Sequence, residues 1–279
     1  MKAKRFLARL AAALAASLAL APGAATISSA DYSDLWWNPA ENGWGAGLYQ
    51  QNDVIFMTLY VYGPDGRATW FVAPEVTAVD FIATGAPHWQ GTLYRVTGPW
   101  FGGPFDPAAV GATATGIATL SFQTPSTGTL SYTAGGVSVT KQIQRQSWRE
   151  APLAGRFHGG MSARATDCQP DELGGTHEIL GPMQVVQSGS TVSITVDSLS
   201  SVGDASQCVY SGAWSQEGRL GKVAGGNYYC IIRGDVDHVG TFTLSRVEIG
   251  RHGFYGHFEG VDQYCRYAGQ FGGTRKEGQ

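Results

Sequence analysis

Beyond the first 30 residues helical periodicity is nearly absent, and alternation of apolar and polar positions with a period of two recurs to the end of the chain. The stretch 191–196 reads Thr-Val-Ser-Ile-Thr-Val. It sets Val192, Ile194 and Val196 on one face and hydroxyl side chains on the other, the mark of a strand with one side in a core and the other in water. Leu120 with Phe122, Val137 with Val139, Phe242 with Leu244 and Phe254 with Phe258 repeat the arrangement. Between the runs lie turn formers such as Gly63-Pro64-Asp65-Gly66 and Gly135-Gly136. The pattern predicts about seven strands in residues 43–146 and about eight in 155–271. Short connections call for antiparallel meanders, and closure into a barrel removes the unpaired edges such meanders would expose. The expected fold is therefore all-β, with two antiparallel β-meander or barrel-like modules.

One pattern occurs twice. Cys208-Val-Tyr210-Ser-Gly212-Ala-Trp214 and Cys265-Arg-Tyr267-Ala-Gly269-Gln-Phe271 share Cys-x-Tyr-x-Gly-x-aromatic, which on a strand points all four marked residues one way. Glycine at the third marked position leaves room for a ring or lets the strand bend. Both segments read as core strands.

Residue usage divides the chain in two. All four cysteines lie beyond residue 150, whereas six of the eight tryptophans lie between Trp36 and Trp100. The expected organisation is a leader at 1–30, a Trp-rich β module at 31–150 and a Cys-containing β module at 151–279. The boundary falls in 147–154, where Pro152 interrupts the pattern. In the leader, Lys2, Lys4, Arg5 and Arg9 precede an apolar run at 10–21, and small residues follow through Ala25 and Ala30, the layout of a cleaved secretory signal peptide. A run of about a dozen apolar residues is short of the roughly 20 that a membrane helix needs. Removal of the leader takes four of the 19 basic residues and no acidic ones, leaving 15 against 22 and a net charge of −7. An acidic exported chain is a poor binder of phosphate backbones, so nucleic acid is excluded as a partner.

Export also sets how the cysteines read. Four cysteines in an oxidising compartment allow three disulfide connectivities. Cys208–Cys230 with Cys168–Cys265 is favoured, because the first pair flanks a hairpin and the second lies near the first and last strands of its half. No Cys-x-x-Cys spacing supports zinc, and His252 and His257, five positions apart, fall on opposite faces of a strand, so neither a metal nor a cofactor is expected.

The segment richest in chemical character is Asp34-Leu-Trp36-Trp37-Asn38-Pro39-Ala-Glu41-Asn42-Gly43-Trp44-Gly45. It resembles the Trp-Trp-Asn-Pro-x-Glu-x-Gly-Trp-Gly module of uncharacterised exported β-rich proteins of proteobacteria. Ile55-Phe56, the 62–66 turn with Trp70 after it, the 91–99 stretch and 136–141 extend that resemblance over most of 32–148. The second half, with Gly155-Arg-Phe at its start and Asp262-Gln-Tyr-Cys265 near its end, resembles segments that accompany the module. The resemblance implies export and carries no catalytic residues with it.

Trp36 and Trp37 cannot enter one core together from an extended segment, so one of them is expected to meet solvent. Pro39 and Gly43 suggest a loop folded over a strand end, with the Glu41 carboxylate placed to accept backbone or indole hydrogen bonds. On the following strand Ile55, Met57, Leu59 and Val61 make an aliphatic face, and Phe56, Thr58, Tyr60 and Tyr62 an aromatic one. Two roles for the aromatics compete. In one, the tryptophans plug a barrel end with lipocalin- or avidin-like closure, where a Gly-x-Trp of the first strand lies under an arginine of the last. That reading predicts a Trp44–Arg145 cation–π contact. In the other, Trp36, Trp37, Glu41, Trp44, Tyr60, Trp70, Trp89 and Tyr94 form a stacking platform or cup for a glycan or other small molecule.

The function expected on balance is a secreted or periplasmic, non-catalytic binding or envelope-associated protein that does not span the membrane. The rival is a secreted hydrolase of glycosidase or esterase type, with Glu41 and Asp53 or Glu178 and Glu259 as its carboxylate pair. Neither a Gly-x-Ser-x-Gly elbow nor a Walker loop is present in the sequence. Oligomeric state leaves no mark in it.

Overall fold

The computed structural model of the protein describes residues 30–79, 88–199 and 204–276. The expected leader lies outside them, apart from Ala30. The first of two closed barrels is built from β1 (Asp34–Trp37), β2 (Gly45–Gln51), β3 (Val54–Tyr62), β4 (Ala68–Ala78), β5 (His88–Thr97), β6 (Gly111–Thr124), β7 (Thr127–Ala134) and β8 (Val137–Arg145). The second comprises β9 (Gly155–Thr166), β10 (Gly175–Ser188), β11 (Thr191–Leu199), β12 (Ala205–Glu217), β13 (Leu220–Ile232), β14 (Asp235–Gly250), β15 (Gly253–Asp262) and β16 (Arg266–Arg275). All neighbouring strands are antiparallel. The rings close where β1 meets β8 and where β16 meets β9. Among the described residues the only helices are short turns at Pro107–Ala109 and Asp171–Leu173, and none is long and apolar enough to cross a membrane.

Strands β2–β8 are the seven expected in 43–146. The eighth, β1, carries the paired tryptophans and runs into the loop expected at Pro39 and Gly43. It is only four residues long and ends before Pro39, too short for alternation to register. Its formation closes the ring and carries Trp36 inward between Ala46 and Arg145, its cross-strand neighbours. Trp37 faces outward beside Gln144 and is only half-buried.

Apolar side chains build the core of both interiors. Leu48, Ile55, Met57, Leu59, Leu93, Leu120, Leu130 and Ile143 surround Trp36, Trp89 and Phe122 in the first. Tyr32, which precedes β1, lies flat on Phe122 with ring centroids 3.7 Å apart and meets Trp89 edge-on. In the second, Val185, Val192, Ile194 and Val196 pack with Phe157, Phe242, Phe254, Phe258 and Phe271. The repeated pattern proves to be inward-facing in both copies: Cys208, Tyr210 and Trp214, like Cys265, Tyr267 and Phe271, are buried.

Both disulfides pair as the spacing favoured. Cys208 and Cys230 are direct cross-strand partners of β12 and β13. Cys168–Cys265 ties the segment after β9 to the one before β16, beside the seam that closes the ring.

A buried arginine closes one end of the first barrel. Arg145, with no side-chain surface in water, donates through Nε to Pro125 O, through Nη1 to Ser33 O and Asp34 Oδ2, and through Nη2 to Asp31 O. Its guanidinium lies 5.0 Å from the centre of the Trp36 ring. The expected arginine–indole contact is thus present with a different indole. Trp44 lies at the other end, with Lys141 5.8 Å over its ring. The β12–β13 turn docks beside Arg145: Arg219 donates to Asp31, Ser33 and Asp34 of the first barrel. Gly218 has φ +63°, and a methyl there would stand 2.5 Å from Asp34 Oδ2 and 2.7 Å from Arg145 Cβ, so only glycine lets the turn approach so closely.

Candidate functional site

The eight aromatic and acidic residues expected to hold a ligand fall into three groups. Trp36 and Trp89 are sealed in the core, 0% and 1% exposed, which corrects their assignment to a ligand surface. Alternation on β1 and β5 turns them inward, where burying so large a ring is worth more than any surface contact. Trp44 and Glu41 form a small polar lock at one end of the barrel. Trp44 Nε1 donates to Glu41 Oε2 at 2.9 Å, and Lys141 Nζ sits 2.7 Å from the same carboxylate. The Lys141 ammonium, helped by the indole N–H, holds the Glu41 carboxyl below its ordinary value.

Trp37, Tyr60, Trp70 and Tyr94 belong to the third group, on the outer wall of β1–β5. Tyr60 and Trp70 are direct cross-strand neighbours and each keeps 49% of its surface in water. Tyr62, Phe56 and Tyr49 continue the exposed face, and the half-buried Tyr94 joins it opposite Val72. Segments 45–49, 56–62 and 70–72 contain no charged residue. Tyr49 lies back over Gly47, where an added methyl would sit 3.3 Å from the ring. Between β5 and β6, at the same end as Trp44, Trp100, Phe101 and Phe105 are turned to solvent, with Phe101 98% exposed and its ring 5.9 Å from that of Trp100.

A second site, at the mouth of the second barrel, was not anticipated. Here a cavity of about 500 Å³ opens, lined by His177, Tyr210, Tyr228, His238, Asp262 and Tyr267 among others. Asp262, whose side chain is 1% exposed, is the hub. Its Oδ1 accepts the backbone N–H groups of Tyr264 and Cys265, each at 2.8 Å. Its Oδ2 accepts the hydroxyls of Tyr228 and Tyr267, each at 3.2 Å, and faces His238 Nδ1 at 2.9 Å. Burial alone would raise this carboxyl, but the Cys265 and Tyr264 N–H groups and His238 outweigh it and hold it below its ordinary value. Burial pushes the hydroxyls of Tyr210, Tyr228 and Tyr267 well up, the last two further because Asp262 is anionic. The one legible trace of this site was the repeat, which placed Tyr210 and Tyr267 on the same face as the cysteines.

The carboxylate pairs of the hydrolase reading do not converge. Glu41 and Asp53 flank opposite ends of β2. Glu178 and Glu259 are both exposed on outer faces, separated by β9 and β16. Among the described residues no three His, Cys, Asp or Glu side chains come together to hold a metal ion. Comparison with known protein families, with curated proteins and with solved structures finds no match to the chain.

Proposed function

We propose that the protein is a non-catalytic binding protein of the cell exterior that holds sugar rings against the aromatic outer wall of its first barrel. The observation that carries this reading is the Tyr60–Trp70 pair: two rings set side by side by strand register, half exposed, on segments 56–62 and 70–72 that carry no charged residue. A rigid sheet fixes the rings before any ligand arrives, so little conformational entropy is lost on binding. The apolar faces of pyranose rings suit such a surface. Each good ring contact contributes roughly 0.5–1.5 kcal/mol beyond area burial, so three or four together support micromolar to millimolar affinity. The exterior location rests on the two disulfides, which persist in oxidising compartments, and on the leader-like first 30 residues.

Titration with neutral oligosaccharides, followed by tryptophan fluorescence, tests the proposal. Saturable quenching is expected, weakened about tenfold or more in Trp70→Ala and further in Tyr60→Ala/Trp70→Ala. Both side chains are surface groups, so the folded state survives their loss. Equal affinity in the folded double variant would refute the wall as the binding surface.

A further inference from the structure

We propose that the mouth of the second barrel is a binding site for a small organic ammonium ion. This inference is independent of the sugar-binding wall. The interior of that barrel is divided. Its lower part is packed with Phe157, Phe242, Phe254, Phe258 and Phe271, whereas the upper part is the cavity, floored by Tyr210. Tyr210 stacks on Tyr228 and meets Phe242, Phe258 and Phe271 edge-on. Its hydroxyl, fully buried, has no hydrogen-bond partner among the described residues. A buried hydroxyl left in that state costs about 1–3 kcal/mol, and a ligand in the cavity that Tyr210 lines would relieve it.

The cavity also states what kind of ligand. Tyr228 and Tyr267 give their protons to Asp262, so the oxygens they present to the cavity are acceptors. The carbonyl of Leu173, 2.7 Å from His177 Nε2, fixes that nitrogen as the donor and leaves Nδ1 to accept. His238 stands between Asp262 on Nδ1 and Asp237, 3.1 Å from Nε2. Two carboxylates against one imidazole leave the mouth negative in either state of the ring. Neither lysine nor arginine is among the lining residues. Acceptors, electron-rich ring faces and negative charge without a balancing cation select an ammonium group over an alcohol or an acid. The volume, about 500 Å³, suits an amine of one or two rings.

Amide chemical shifts of the full chain, titrated with 2-phenylethylammonium, 2-phenylethanol and phenylacetate, test the proposal. The ammonium is expected to shift residues around Tyr228, His238, Asp262 and Tyr267 saturably, with the alcohol about tenfold weaker and the acid without effect. Asp237→Asn, at the rim, is expected to weaken the ammonium severalfold. Tyr210→Phe keeps every ring contact, folds at least as stably, and loses affinity severalfold. Alcohol or acid binding as well as the ammonium, an absence of response to all three, or unchanged affinity in folded Tyr210→Phe would each overturn the proposal. Trp70→Ala is expected to leave the ammonium response untouched, so failure of the sugar wall and failure of this site are read separately.

Discussion

Replacing Arg145 isolates the device that closes the first barrel. Its guanidinium reaches four acceptors: the carbonyls of Asp31, Ser33 and Pro125, and the Asp34 carboxylate, whose side chain is 10% exposed. In Arg145→Met a methionine fills the same space over Trp36, so the change removes charge and donors with little loss of volume. What remains is a nearly buried carboxylate without its cation, and carbonyls at Asp31 and Pro125 without their side-chain donor. Removing one partner of a buried pair costs about 3–5 kcal/mol. The lower end is expected here, about 3 kcal/mol, because Asp34 keeps the Arg219 backbone N–H at 3.1 Å. Arg145→Lys retains charge but cannot span four acceptors from one ammonium, and is expected to lose about 2 kcal/mol. Adding Asp34→Asn to the methionine variant should recover about 1 kcal/mol by removing the stranded charge. Urea unfolding followed by tryptophan fluorescence reads this directly, since six of the eight tryptophans lie between Trp36 and Trp100. With a slope of about 1–3 kcal/mol per molar urea, a loss of 3 kcal/mol moves the midpoint down by about 1–3 M. A loss under about 1 kcal/mol in Arg145→Met, or lysine performing as well as arginine, would refute the argument.

The remaining predictions concern the second barrel. The Asp262 carboxyl is held below its ordinary value in the folded state, so its contribution is fully present above the unfolded pKa, near 3.8, and is lost as pH falls through the lower folded value. Acid titration followed by amide shifts should therefore show the second barrel losing stability below about pH 4, with the loss much reduced in Asp262→Asn. Tyr210, Tyr228 and Tyr267 have raised folded-state values, so their contribution is complete below the ordinary tyrosine value of 10 and is lost as pH rises beyond it. Phenolate absorbance from these three should appear only as the barrel unfolds, and smooth ionisation in the native state would contradict their burial. Opening Cys168–Cys265, which spans 97 residues, should destabilise the second barrel by about 4.7 kcal/mol, against about 3.4 for Cys208–Cys230 and its 22. Thermal melts of the two double-serine variants should leave the first barrel's transition in place.

Alternation made the strands legible because a period of two follows directly from the pleat, whatever the strand's neighbours. For the same reason the sequence showed that Trp36 and Trp37 diverge, and that Ile55, Met57 and Leu59 share one face of their strand while Phe56, Tyr60 and Tyr62 share the other. The proximity of Glu41 to an indole was legible too, since Trp44 is only three residues away. Less of the chemistry could be read. Which tryptophan lies under Arg145 depends on β1 pairing with β8 across more than a hundred residues, and a four-residue strand before a proline gives no periodic signal. The cluster around Asp262 is assembled from β13, β14, β15 and β16, with Tyr210 of β12 beside it, and no spacing in the chain brings His238 and Tyr228 to that carboxylate.

The sequence by itself determined that this chain forms two all-β modules and which side chains of a strand share a face, and it favoured the cysteine pairing that is found. The strands, their faces and the Cys208–Cys230 pair follow from local geometry and from hairpins, where neighbours in space are neighbours in the chain. Only the tertiary structure decided that one barrel is packed to its sealed end while the other keeps an open, acceptor-rich mouth. Depth inside a closed ring is set by the register and stagger of all eight strands together, and no single strand encodes it.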